Sequence, residues 1–148
     1  MSSHQSAGYA GDVTALEAFA ELGKRDGAVL VDVRTRAEWA FVGLPDLSQL
    51  KNEPILLEWQ EYPDMASKPD FVDRLRDSLR ACGAGPESTI YFLCRSGARS
   101  RAAAITMTKA GYSSCFNISD GFEGPLDAHR RRGGVAGWKA SNLPWAQT

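Results

Sequence analysis

A chain of 148 residues, 43% of them hydrophobic, can bury a core of its own and is too apolar to stay disordered. Its net charge of −1 gives no bulk attraction to nucleic acid or to an anionic membrane, and no apolar run approaches the roughly 20 residues of a membrane span. The polar Met1–Gly11 has no signal-peptide core, so the expectation is a cytoplasmic protein whose Cys82, Cys94 and Cys115 stay reduced, with no disulfide framework and no zinc spacing. Residues 1–8 read as a loose leader and 9–148 as one domain.

Thr14 opens the first helix, with Glu17 three residues on to complete a capping box. Leu16, Phe19, Ala20 and Leu22 give that helix an apolar side, and Gly23 is its expected stop. Ala28–Val33 is a nearly unbroken apolar run, the pattern of a parallel strand covered on both faces. It ends on Asp32 and Arg34, at the carboxyl edge where α/β sheets place their sites. These two either fix the turn or orient a neighbouring loop without touching substrate, Asp32 by accepting loop N–H groups and Arg34 by pairing with Glu38. Phe41–Pro69 is irregular, with four prolines and one strand candidate at Ile55–Leu57. Glu58, Trp59, Tyr62 and Met65 follow it and face either the mouth of a site or the core. Asp70 then opens a helix with Phe71, Val72, Leu75, Leu79 and Cys82 on one face, Gly83 at its stop and an Asp70–Arg74 pair on its wet side.

Thr89–Ala110 is the centre of the chain. Thr89–Leu93 is β-branched and aromatic, hence a buried strand; Ser100–Ala110 is alanine-rich and stopped by Gly111, hence a helix packed closely on a sheet. Between them lies Cys94-Arg95-Ser96-Gly97-Ala98-Arg99. A cysteine at a strand's carboxyl end, facing a helix N-terminus, meets unpaired N–H groups and positive dipole, which favour a thiolate and any anion attached to it. Cys94 is therefore read as a nucleophile, with Arg95, Ser96, Gly97, Ala98, Arg99 and Ser100 as the residues that would receive its substrate. Cys115–Ile118 is a further strand and Asp120-Gly121 a turn. Pro125–Arg131 reads as a short helix whose Arg130-Arg131-Arg132 decorates a solvated end, and Gly133–Thr148 as a loop anchored by Trp138 and Trp145. Cys82 and Cys115 are expected in the core, without specific support for Cys115 as a resolving thiol. Strands alternating with helices mean α/β architecture: a mainly parallel sheet of four or five strands with helices on both faces.

The loop Cys-Arg-Ser-Gly-Ala-Arg-Ser from Cys94 resembles that of the rhodanese-like sulfurtransferases. So do Val31-Asp32-Val33-Arg34 with Glu38 and Trp39, Asp120-Gly121-Phe122-Glu123-Gly124, and Gly137-Trp138-Lys139 with Leu143-Pro144-Trp145. The resemblance implies the three-layer rhodanese fold, with an edge strand supplied near Val13. It departs where many members carry Gly-His-Ile-Pro-Gly; this chain reads Val42-Gly43-Leu44-Pro45-Asp46 and has no histidine there.

A cradled thiolate can take the outer sulfur of thiosulfate and pass it to cyanide, a thiol or a protein cysteine, with no metal and no organic cofactor. Arg95 and Arg99 would hold the sulfonate of this small anionic donor. Two other readings stand beside it: a persulfide carrier or interaction module passing sulfur to a protein acceptor, and a Cys-dependent phosphatase. Phosphatase loops place their arginine six residues after the cysteine; here Arg99 comes at five and Ser100 at six, a ring too small for phosphate.

Overall fold

The computed structural model describes residues 8–61, 66–67 and 69–147. Tyr62 and Met65, and most of the expected leader, lie outside them. Two Thr-x-x-Glu sequences start the helices that bracket the first buried strand, and both form capping boxes. Thr14 caps α1 (Ala15–Lys24) with Glu17, as expected; Thr35 caps α2 (Arg36–Val42) with Glu38, a helix that runs two residues into the segment expected to be irregular. Gly23 lies inside α1, which runs on to Lys24, and Gly27 (φ +82) makes the turn instead. Leu16 points outward and is exposed, because Ala15, Ala18 and Leu22 form the buried stripe.

Five parallel strands form the central sheet: β1 (Gly11–Val13), β2 (Val29–Asp32), β4 (Ile55–Leu56), β7 (Thr89–Leu93) and β8 (Ser114–Ile118), in the order β1-β8-β7-β2-β4. The edge strand near Val13 is present, paired to β8. Short antiparallel pairs join β3 (Leu44–Pro45) to β9 (Trp145–Ala146), and β5 (Gln60–Glu61) to β6 (Ala66–Ser67). Residues alternate across β2 and β7. Val29, Val31, Ile90 and Phe92 pack on one face with α3 (Phe71–Ala81) and α4 (Ala98–Lys109); Leu30, Tyr91 and Leu93 pack on the other with α1, Trp138 and Leu143. Both faces are thereby covered, which is why β2 and β7 read as continuous apolar runs.

Three further expectations are corrected. Cys82 is exposed: it follows the last turn of α3, and the buried face of that helix is carried by Phe71, Leu75 and Leu79. Residues 125–131 form turns rather than a helix, held by Asp127, whose carboxylate accepts the N–H groups of His129 and Arg131. Finally, α4 begins at Ala98, two residues earlier than read, because Gly97 at φ +110 turns the chain directly from the loop into the helix. The Asp70–Arg74 pair is present at 4.0 Å on the exposed side of α3. Among the described residues, no helix is long and apolar enough to cross a membrane.

Candidate active site

Cys94 directly follows β7, and only Arg95, Ser96 and Gly97 separate it from α4. A strand end and a helix start this close force the intervening backbone into a tight arc. Gly97 supplies the positive φ, and its N–H donates to the Cys94 Sγ at 3.1 Å. From the first turn of α4, the Ser100 hydroxyl lies 3.2 Å from the same sulfur. Cys94 is buried, so these two contacts dominate its surroundings.

The arc is clamped from behind by the segment after β8. Phe122 N–H donates to Cys94 O at 2.8 Å, and the N–H groups of Glu123 and Gly124 both reach Arg95 O at 3.1 Å. Gly121 is needed for this approach: at its φ of +69 a Cβ would collide with the Arg95 carbonyl. The Asp-Gly-Phe-Glu-Gly sequence thus supports the loop through its backbone N–H groups, while the Asp120 carboxylate accepts the Ala15 N–H at the start of α1 at 2.9 Å.

Asp32 and Arg34 form a wholly buried ion pair beside the loop. The Arg34 Nη2 donates to Asp32 Oδ2 at 2.7 Å and its Nε to Oδ1 at 3.0 Å; Nη2 also reaches Gly43 O at 2.8 Å. The guanidinium lies 4.1 Å from the centre of the Phe122 ring, so the pair braces the residue that holds Cys94 O. Asp32 therefore accepts from Arg34 and not from the loop. Arg34 in turn does not pair with Glu38: it precedes the Thr35 cap, outside the helical register that an i,i+4 pair needs.

Glu38 reaches Arg99 instead. Nη1 donates to Oε1 at 2.7 Å and Nη2 to Oε2 at 2.9 Å, a two-pronged pair that ties α2 to the start of α4. Burial works against the Glu38 carboxylate but is outweighed by Arg99 and by the Thr35 N–H, which hold its pKa down to about 2. The sequence held a sign of this acid's importance in the second Thr-x-x-Glu, though none of its partner.

A cleft of about 860 Å³ borders the loop at Arg95 and Arg99, with Ala37, Phe41 and Val42 of α2 on one wall and Glu123 and Arg132 on another. Arg95 is exposed there, and among the described residues it makes no side-chain ion pair. Arg132, read as helix decoration, faces this cleft and donates to Gly124 O at 2.8 Å. A second cleft, about 670 Å³, lies at the opposite, amino edge of the sheet beside Ala28, Asn52 and Cys82, and contains none of the loop. Of the residues read as facing a mouth or the core, Trp59 packs edge-on against Phe71, and Glu58 accepts from the Arg36 N–H at the start of α2.

The sequence reading missed Asn117. Its Oδ1 lies 2.5 Å from the Ser100 hydroxyl, one bond network away from Cys94. Asn117 stands two residues after Cys115 on β8, on the strand face that α4 must cover; a polar residue at such a position signals a buried network.

The family model of the STR4 middle domain matches residues 10–148. An uncharacterized protein of Rickettsia conorii is 42% identical over 134 residues, spanning 90% of this chain and 95% of its own. The crystal structure of Rv0390 from M. tuberculosis superposes with a TM-score of 0.84 at 47% identity, covering 95% of this chain and 99% of that one. The chloroplastic rhodanese-like domain-containing protein 4 of Arabidopsis thaliana is 29% identical over 135 residues, 90% of this chain and 25% of that protein. With nearly the whole chain matched and its parallel sheet in the rhodanese-like arrangement, this protein belongs to the STR4 middle-domain family of rhodanese-like domains.

Proposed function

We propose that the protein is a sulfurtransferase that carries sulfur as a persulfide on Cys94. The observation that carries this reading is the position of its Sγ, at the carboxyl end of β7, receiving the Gly97 N–H at 3.1 Å beside the first turn of α4. A negative sulfur chain on Cys94 would meet N–H donors and the positive end of a twelve-residue helix. In the first half-reaction the Cys94 thiolate attacks the outer sulfur of thiosulfate. The sulfur–sulfur bond of the donor breaks, sulfite leaves with the electron pair, and a new one joins that sulfur to Cys94. In the second, a thiol or cyanide takes the outer sulfur and the thiolate returns.

Arg95, exposed at the cleft, is the residue we assign to the sulfonate of the donor. Arg99 is committed to Glu38, so its role is to hold the loop against α2. That commitment also speaks against phosphate chemistry, in which an arginine of the loop must face the anion bound at the cysteine. The reading as a relay with a protein acceptor draws on one observation, the breadth of the cleft and its apolar wall, where Phe41 is 81% exposed. An acceptor thiol flanked by an apolar side chain fits that wall.

Intact-mass measurement after incubation with thiosulfate tests the proposal. One added sulfur, located on the Cys94 peptide and removed by cyanide, is the expected result. Absence of the adduct, together with turnover of p-nitrophenyl phosphate that is lost in Cys94→Ser, would replace sulfur transfer by phosphatase chemistry.

A further inference from the structure

Cys94 lies at the buried end of a chain of hydrogen bonds that reaches the surface at Asp12, and its direction can be worked out from the acceptor-only groups in it. At the far end, Asp12 Oδ1 accepts the Tyr9 hydroxyl at 2.7 Å. A carboxylate only accepts, so the Asn117 side chain turns its NH2 toward Asp12, at 3.1 Å. The amide oxygen of Asn117 is then the atom facing Ser100, at 2.5 Å. An amide oxygen has no proton to give. The single hydroxyl proton of Ser100 must therefore lie between the two oxygens; otherwise two sets of lone pairs would face each other at that distance.

Gly97 O, the other acceptor near Ser100, is farther at 3.2 Å and already receives the Arg101 N–H. The shorter contact therefore holds the proton: it lies toward Asn117 and away from Cys94, and a lone pair of the Ser100 oxygen is turned toward the sulfur at 3.2 Å. A lone pair in that position accepts from a thiol and repels a thiolate.

We infer that Asn117 is a positioning residue that locks the Ser100 hydroxyl as an acceptor toward the Cys94 sulfur, a contact that favours S–H over the thiolate. The Gly97 N–H favours the opposite state, so the loop carries one group for each. The network orients and does not conduct: the amide of Asn117 cannot relay a proton, so the proton of Cys94 passes to solvent on the cleft side before the thiolate attacks. When a persulfide forms, its negative charge sits on the outer sulfur, and the inner sulfur no longer has a proton to donate to Ser100.

The charged groups around the loop are Asp32 and Arg34 at the end of β2, Glu38 on α2, Arg95 in the loop itself, Arg99 at the start of α4, and Glu123 and Arg132 across the cleft. None of them is altered in the test that follows. The inference rests on Cys94 being the nucleophile, yet alkylation reads the thiol itself whether or not sulfur transfer occurs.

The rate of iodoacetamide labelling at the Cys94 peptide is measured against pH in the full chain, by mass spectrometry, which separates it from the exposed Cys82. In Ser100→Ala the thiol loses its acceptor, and the midpoint of the profile should fall by about 0.5–1 pH unit, the worth of one ordinary hydrogen bond. Asn117→Leu leaves the Ser100 proton only the longer contact to Gly97 O, which already receives the Arg101 N–H, so it can turn to the sulfur and should lower the midpoint, by no more than Ser100→Ala does. Adding Asn117→Leu to Ser100→Ala should then change nothing further. A midpoint that rises in Ser100→Ala would mean that Ser100 donates to a thiolate, and would overturn the inference even if Asn117→Leu does not fold. An unchanged midpoint in a folded Asn117→Leu would overturn it as well.

Discussion

Cys94, just past the end of β7, and Cys115, on the neighbouring β8, are both shut off from solvent, and they differ in what surrounds the sulfur. Cys115 lies at the start of β8, in register with Ile90, four residues and therefore roughly 13 Å below Cys94 along the strand direction. Its Sγ donates to Tyr112 O at 3.6 Å, and burial, only partly offset by the Thr108 hydroxyl, pushes its pKa up to about 11. Cys94, at the other end, receives the Gly97 N–H and stands beside a helix start. Burial alone thus keeps a thiol inert, whereas burial at a strand's carboxyl end, where the next helix points its N–H groups, makes a candidate nucleophile. The distance and the raised pKa together remove Cys115 as a resolving partner for Cys94.

The largest expected effect is the one that would break this contrast outright. Cys94→Ser should lose all sulfur transfer while melting like the parent, and Cys115→Ala should retain transfer. Persulfide sulfur found on Cys115 after thiosulfate treatment would show that the two sites are not distinct in the way described.

Next comes the frame that only the Cys94 end possesses. Arg34→Ala leaves Asp32 charged, buried and unpaired, and should cost about 3–5 kcal/mol in urea unfolding. A cost below roughly 1 kcal/mol would mean that the Asp32–Arg34 pair does not brace the loop.

The Glu38–Arg99 pair gives a pH signature with a definite sign. The folded-state pKa of Glu38 lies at about 2, below its ordinary 4.5, so its stabilisation is complete above about 4.5 and is lost as the pH falls toward 2. The stabilisation should be about 2–3 kcal/mol. Glu38→Gln should therefore melt well below the parent at neutral pH, and the gap should close across that acid window. A gap that is constant with pH would assign the loss to packing.

The smallest effect concerns the donor. Arg95→Ala should lower kcat/KM for thiosulfate by about tenfold, the low end for a charged hydrogen bond because Arg95 is exposed. Arg99→Ala should act mainly on stability, through the freed Glu38. Equal losses of kcat/KM in both variants at equal stability would return Arg99 to the donor site.

Much of this arrangement could be read from the chain in order. The Thr14 capping box, the runs that become β2 and β7, the Cys94 loop and the Gly111 stop depend on residues within a few positions of each other. So did the resemblance that foresaw β1 at the sheet edge, because it rests on short motifs in a fixed order. The misread segments share another trait. Pro125–Arg131 has a helical composition, but Asp127 draws the backbone N–H groups into turns, a local competition that composition does not show.

Side-chain pairing across the sheet was settled by the tertiary structure alone. Glu38 stood within reach of Arg34 in the sequence and found Arg99, 61 residues away, because β2 and β7 are neighbours and bring the start of α2 against the start of α4. Ser100 and Asn117 meet for the same reason, through the pairing of β7 with β8 and the helix laid across them. Capping, turn formation and hydrophobic period are set by residues adjacent in the chain and act in any fold. The partner of a buried charge or hydroxyl is fixed only when the strands take their places, since that is what brings distant residues within hydrogen-bonding distance.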